Sequence, residues 1–285
     1  MEAHVKNILS KVLVILLLGV AACSKENVED VAFKARGQQY DLIVEGGINS
    51  VLRNQYIKLS KPSFHPDSLP QPINDAEVIV NDGLRANLFK LTSTPGVYSG
   101  QVQNQRYNRP YTLTVKYNGK EYSAVDSLIQ VVNIIDDFIP FSIYRYPDKS
   151  LEISIPKHTF GFLTSSKWHI SYQNQPGWNP AKFDSVSNYT YTHAFGAPNS
   201  IYPLVNQKRK ESITESDFVT LYKFSLSDSY SKYLYSIFLE TDWRGMFSGV
   251  PGKVTGNVSN GALGFFYVTD IDIRRYKVSE LIEAK

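Results

Sequence analysis

The sequence predicts a mainly β protein: an N-terminal immunoglobulin-like or transthyretin-like β-sandwich, followed by a second β-rich domain with one covering α-helix. Three observations predict it. Short apolar runs recur between clusters of Gly, Pro, Asn and Asp, the spacing of antiparallel strands joined by tight turns. The aromatic residues are weighted to Tyr 19 and Phe 15 against Trp 3, which suits strands better than a helical bundle. The chain has 285 residues, 42% of them hydrophobic, enough for one or two cores. Its 30 Lys and Arg against 27 Asp and Glu leave a charge of +3, too small a surplus for a basic field, so nucleic acid is not expected as the partner.

Residues 1–22 read as a lipoprotein signal peptide. Lys6 and Lys11 precede an apolar run from Val12 to Val20, which is short of the roughly 20 apolar residues a spanning helix needs. Val20-Ala21-Ala22-Cys23 resembles a bacterial lipobox, in which the cysteine sulfur receives a diacylglycerol and the amine freed by cleavage is acylated. Cys23 is the only cysteine of the chain, so no intramolecular disulfide, Cys-ligated metal or thiol nucleophile competes for it. Each buried methylene of an acyl chain contributes about 0.8 kcal/mol, and three chains would make attachment effectively permanent. Residues 23–36 form a lipidated, mostly polar tether of about 20 Å root-mean-square span. Lys25, Glu26, Glu29 and Asp30 resemble the acidic export signals of some surface lipoproteins, and a solvated linker explains them equally well.

Residues 37–130 are expected to form the sandwich. DLIVEGGIN and NQYIKLSK supply its first two strands. Glu77 to Val80 runs through Asn81-Asp82-Gly83 into LRANLFKLT, a strand, tight turn and strand. Thr94-Pro95-Gly96 fits a type II turn feeding a short strand at Val97-Tyr98. In YTLTVKYNGKEYSAV, Tyr111, Leu113 and Val115 alternate with polar residues up to an Asn118-Gly119 turn. About seven strands follow from this pattern. The proline-rich stretch 61–72, carrying His65, breaks the rhythm and reads as a loop at one end.

Residues 131–285 are expected to form the second domain, with strands near 131–135, 151–155, 168–172, 189–193 and 218–224. The polar stretches 173–188 and 196–216 read as extended surface loops. A helix is expected near 227–241, capped by Ser227 or Asp228, with Tyr230, Leu234, Ile237 and Phe238 on one face. GFFYVTDIDIRRYKV reads as a final strand.

No motif for catalysis emerges. His4, His65, His158, His169 and His193 show no ligand spacing, so neither a metal site nor a cofactor is expected. Asp270 and Asp272 read as two carboxylates on a solvated strand face, and the pair Asp136-Asp137 points to opposite faces. Gly245-Met246-Phe247-Ser248-Gly249 places its serine one position too late for a nucleophile elbow. Trp168, Tyr172 and Trp178 are candidates for stacking on sugars or for a protein interface, with core packing as the competing reading.

The order of these features resembles the bacterial lipoproteins classed as domain of unknown function 4249. The carriers are the lipobox at Cys23, Leu42-Ile43-Val44-Glu45-Gly46, Pro72-Ile73-Asn74-Asp75-Ala76-Glu77-Val78, Pro95-Gly96-Val97-Tyr98, Tyr111-Thr112-Leu113-Thr114-Val115, Gly256-Asn257-Val258 and Gly261-Ala262-Leu263-Gly264-Phe265-Phe266. The resemblance implies an envelope lipoprotein, often encoded near TonB-dependent outer-membrane transporters, with no catalytic residues to carry over. The expectation is therefore a non-enzymatic protein, held by lipid on Cys23 to the outer membrane, in its periplasmic or surface leaflet. Its expected partners are a TonB-dependent transporter and a glycan or peptide ligand. The alternative is a surface hydrolase of glycans or peptides using His169, His193 or Asp184 in the loops of the second domain.

Overall fold

The computed structural model describes residues 40–63, 69–102, 106–134, 138–160, 164–173, 175–183, 188–194, 207–242 and 254–283. Cys23 and the segments expected as signal peptide and tether lie outside the described residues, as do His4, His65, Asp136, Asp137, Asp184 and the segment 245–249. The protein is mainly β. Its strands are β1 (Ile43–Asn49), β2 (Asn54–Ser60), β3 (Glu77–Asn81), β4 (Ala86–Leu91), β5 (Val97–Gln101), β6 (Pro110–Tyr117), β7 (Lys120–Ser127) and β8 (Ser142–Arg145). There follow β9 (Leu151–Pro156), β10 (His158–Phe160), β11 (Ser166–Ser171), β12 (Tyr189–His193), β13 (Lys208–Ile213) and β14 (Phe218–Ser225). Helix α1 (Asp228–Thr241), β15 (Leu263–Thr269), β16 (Ile271–Lys277) and helix α2 (Val278–Glu283) complete the order.

The first seven strands and β15 make an eight-stranded sheet in the order β15-β1-β2-β5-β4-β3-β6-β7. Local chemistry sets its hairpins. Asn118 and Gly119 both take positive φ, 53° and 71°, as a two-residue turn between right-twisted strands requires. Asp82 accepts from the backbone N–H groups of Leu84 and Arg85 at 2.8 and 2.7 Å, fixing the turn from β3 to β4. The join between β4 and β5 holds only two residue pairs, Lys90 with Ser99 and Leu91 with Tyr98, so the sheet bends there. Around the bend close Val44, Ile57, Leu59, Val78, Val80, Leu113, Val115 and Phe266, all buried in one core. Burying each such side chain contributes about 1.5–3 kcal/mol. Two of the buried tyrosines keep partners for their hydroxyls: Tyr98 donates to the Ile73 carbonyl at 3.1 Å and Tyr111 accepts from Arg106 N–H at 2.9 Å.

The eighth strand comes from the far end of the chain. β15 runs parallel to β1, with Ile43 opposite Leu263 and Asn49 opposite Thr269. Backbone approach is close there, since a Cβ on Gly47 would lie 1.8 Å from the Tyr267 carbonyl oxygen and one on Gly264 1.9 Å from that of Val44. On its other side β15 reaches β7 through side chains. Asp126 accepts from Val268 N–H at 2.8 Å, and Asn257 Nδ2 donates to the carbonyls of Val125 and Phe266 at 3.0 and 2.8 Å. The sheet is thereby nearly closed.

A five-stranded sheet, β10-β12-β11-β14-β16, and a three-stranded sheet, β13-β9-β8, enclose a second core. Ile153 and Ile155 meet Trp168, Ile170, Val219 and Leu221 there. Strands β12 and β14 lie where strands are expected, whereas β8, β10 and β13 are short or polar and fall where none was expected. The run expected as one final strand is two, β15 and β16, broken at Asp270. That break corrects the reading of Asp270 as solvated: it is buried and accepts from Ser50 Oγ at 2.5 Å, Tyr107 Oη at 3.1 Å and Val131 N–H at 3.0 Å. Asp272 accepts from Ile134 N–H at 2.7 Å. Both carboxylates tie the 131–134 segment to β16 instead of facing solvent as a pair.

Two helices are described where one was expected. Ser227 caps α1 by accepting from Tyr230 N–H at 3.1 Å. The helix spans two surfaces: Tyr230 stacks on Phe265 and Tyr267 of β15, while Phe238 packs on His158 of β10 and His193 of β12. No described helix is long and apolar enough to cross a membrane.

Candidate functional site

The two faces of the five-stranded sheet differ chemically. Registers place Lys167 opposite Tyr191 and Phe224, and His169 opposite Tyr189 and Tyr222. They also place His158 opposite Tyr191 and Phe160 opposite His193. Because strand side chains alternate, these residues share one face, and Trp168, Ile170 and Leu221 share the other. The second face is the aliphatic core already described. The first is aromatic and basic, and α1, β15 and the segment carrying Trp178 surround it.

Between that face, α1 and the ends of β1 and β15 lies a cavity of about 450 Å³. Small-molecule sites fall in the range of about 300–1,000 Å³. Tyr189, Tyr191, Tyr230, Tyr267 and Trp178 form much of its wall, with Lys167 among them. Lys167 Nζ stands 3.8 Å from the ring centroid of Tyr189, 5.5 Å from that of Tyr267 and 5.7 Å from that of Phe224. Burial pushes its amine down to about 8, because a desolvated ammonium is costly. Burial pushes the Tyr189 phenol up to about 12 and raises those of Tyr191, Tyr230 and Tyr267, so all four remain neutral hydroxyls near pH 7. The wall's carboxylate, Glu45, is held by Lys58 at 3.0 Å. Lys182 is exposed and completes the lining on the side of Trp178 and Phe183.

Beside the cavity, β10, β12 and the end of α1 bring two histidines together that sequence spacing kept apart. His158 Nδ1 lies 3.0 Å from His193 Nε2, and His158 Nε2 lies 3.2 Å from Asp242 Oδ2. Lys157 donates to Asp242 Oδ1 at 2.8 Å. Burial would raise the Asp242 carboxyl, but the Lys157 hydrogen bond and charge, with His158, hold it below its ordinary value. An ionised Asp242 accepts from His158 Nε2–H, which leaves His158 Nδ1 to accept from His193 Nε2–H. Burial pushes His158 down to about 4 and His193 to about 3, so both rings are neutral near pH 7. Phe160, Phe238 and Tyr191 pack around them.

Of the residues named for a hydrolase, the two that are described, His169 and His193, lie in different surroundings. His193 joins His158, whereas His169 packs edge-on to Tyr189 and Tyr222 with its Nδ1 lacking a hydrogen-bond partner among the described residues. Asp184 lies outside the described residues. Trp168 and Tyr172, candidates for surface stacking, are buried in the second core, and Trp168 Nε1 donates to Thr192 at 2.9 Å. Trp178 alone of the three lines the cavity. Among the described residues no cluster of three or more His, Cys, Asp or Glu is placed to hold a metal ion. Sequence reasoning missed Lys167, although Tyr189-Thr190-Tyr191-Thr192-His193 and Lys167-Trp168-His169 display the alternation that builds its face.

Comparison with known families decides the chain's relationship. Residues 29–275 match the family described as Domain of unknown function (DUF4249). The chain belongs to the DUF4249 family. The match spans β1 to β15 and most of β16, so the bent sheet, the aromatic face and the cavity all lie within the DUF4249 region. No curated protein matches this DUF4249 chain.

Proposed function

We propose that this protein is a non-enzymatic, lipid-anchored component of the bacterial cell envelope that holds a small ligand in the aromatic cavity. The observation that carries the reading is the cavity itself: about 450 Å³ walled by five tyrosines and a tryptophan, with the Lys167 amine on its wall. Such a surface offers stacking area and few polar groups, which is how small-molecule sites combine affinity with orientation. The anchor is diacylglycerol and acyl chains on Cys23, supported by the lipobox-like Val20-Ala21-Ala22-Cys23. The location is the outer membrane, and the wider role is accessory to a TonB-dependent nutrient transporter, supported by the family resemblance. We read the bent eight-stranded sheet as an immunoglobulin-like or transthyretin-like sandwich extended by β15, a reading supported by the two-pair join of β4 and β5. Glycans or peptides are the first ligands to screen.

The test pairs membrane pull-down with ligand screening. Wild-type protein is expected in the outer-membrane fraction with a stoichiometric transporter, and Cys23→Ala in the soluble fraction without it. A glycan or peptide panel is expected to raise the melting temperature of wild type and not of Tyr267→Ala. Equal membrane recovery of both forms would refute the anchor, and a silent panel would refute glycan or peptide binding. The alternative, a surface hydrolase, draws on the chain Asp242–His158–His193, and turnover lost in His193→Gln would favour it.

A further inference from the structure

The chemistry of the cavity wall specifies a ligand class, an inference that rests on the reading of the cavity as a binding site. Among the described residues Lys167 Nζ has no hydrogen-bond or ion-pair partner, only the ring faces of Tyr189, Tyr267 and Phe224. Ring faces attract an ammonium but accept little from its three N–H donors. An amine placed so deep costs free energy unless an acceptor meets it, and the open volume in front of it is the cavity. The remaining wall charges do not supply that acceptor. Glu45 is engaged by Lys58, and Lys182 adds a second positive charge, so the lining carries a positive surplus.

The hydroxyls point the same way. Among the described residues the phenols of Tyr191, Tyr230 and Tyr267 have no hydrogen-bond partner, and as neutral groups they can donate to an anion. Tyr230 and Tyr267 lie with ring centroids 5.0 Å apart at 11° between planes, and Trp178 presents a further aromatic surface. A flat apolar body matches such walls. The lining contains no arginine, and of its two lysines only Lys167 stands over the ring faces, so that one amine balances a monoanion better than a phosphate dianion, which is usually met by an arginine fork or several backbone N–H groups. We propose that the cavity takes a small monocarboxylate with a planar apolar body, its carboxylate at Lys167 Nζ and its body against Tyr189, Tyr267 and Trp178.

The test uses the full chain and two matched probes, 2-naphthoate and its neutral analogue 2-naphthamide, titrated by calorimetry with tryptophan fluorescence as a second signal. Wild type is expected to bind naphthoate at least 10-fold tighter than naphthamide. Lys167→Met should erase that preference and Lys167→Arg should keep part of it, with melting curves showing that each variant is folded. The comparison of probes on wild type stands even where Lys167→Met does not fold. Equal binding of both probes, or a preference that survives Lys167→Met, would overturn the carboxylate assignment and leave the cavity as a binding site. Failure of both probes while a neutral glycan binds and is lost in Tyr267→Ala would also overturn the assignment alone. Failure of every probe and glycan would overturn the binding site with it.

Discussion

Replacing Gly264 with alanine should loosen the seam between β1 and β15, and the size of the effect follows from the geometry. Gly264 has φ +92°, and a Cβ there would stand 1.9 Å from the Val44 carbonyl oxygen. The left-handed backbone alone costs an L-residue about 1–2 kcal/mol. Relieving the clash forces the strands apart, and losing the two ladder hydrogen bonds nearest the site costs about 1 kcal/mol each. The sum is about 3–4 kcal/mol, a large share of the roughly 5–15 kcal/mol that keeps a domain folded. Gly119→Ala is the control, because its φ is +71° and nothing lies within 4 Å of the added carbon. It should cost only the backbone part, about 1–2 kcal/mol. Urea titration of both variants at fixed pH measures the difference through the midpoint at unchanged slope. If Gly264→Ala proves no more destabilising than Gly119→Ala, the close approach of β1 and β15 contributes nothing and the reasoning is refuted.

Three further outcomes are expected. Burial pushes His158, His169 and His193 down to about 4, 4 and 3, so between pH 6.5 and 4 the unfolded chain binds more protons than the folded one. Stability should be complete above pH 6.5 and decline as pH falls toward 4; a urea midpoint that is flat between pH 7 and 5 would show the rings are not buried neutral. Trp168→Ala, at a fully buried position, should cost about 3–5 kcal/mol in the same assay, and a cost below 1 kcal/mol would contradict the second core. Ser227→Ala removes the cap of α1 and should cost about 1 kcal/mol, with a matching fall in helical circular dichroism on warming; no change would mean the cap is redundant.

What was legible in the sequence was whatever local chemistry encodes. Asn118-Gly119 announces its hairpin because few other residues accept two successive positive φ angles, and Ser227 announces α1 because a hydroxyl before an apolar period is a cap. Long-range pairing leaves no such mark. Nothing in Leu263 to Thr269 says that it lies beside Ile43 to Asn49 and not beside its own neighbour β16, since parallel pairing depends on packing across the whole chain. Asp270 was misread because the break at that residue between β15 and β16 resets the alternation, a shift that moves a residue from one face to the other. Lys167 was missed for a related reason. Beside Trp168 it reads as the solvent side of a half-buried strand, and only the presence of α1 and β15 over that side turns it into the wall of a cavity.

The placement of β15 also dictates when the protein can fold. A chain emerging from its N-terminus presents β1 to β7 long before residues 263–269 exist to pair with β1. Until then the whole hydrogen-bonding edge of β1 stands open, the kind of edge that recruits strands from other molecules. A nascent or truncated chain ending before Leu263 should therefore depend on a holding chaperone, whereas a chain that includes residues 263–269 shields its own edge. The pairing of residues 263–269 with β1 is thus a late long-range step of folding, and a chain without it leaves the β1 edge open to aggregation or proteolysis.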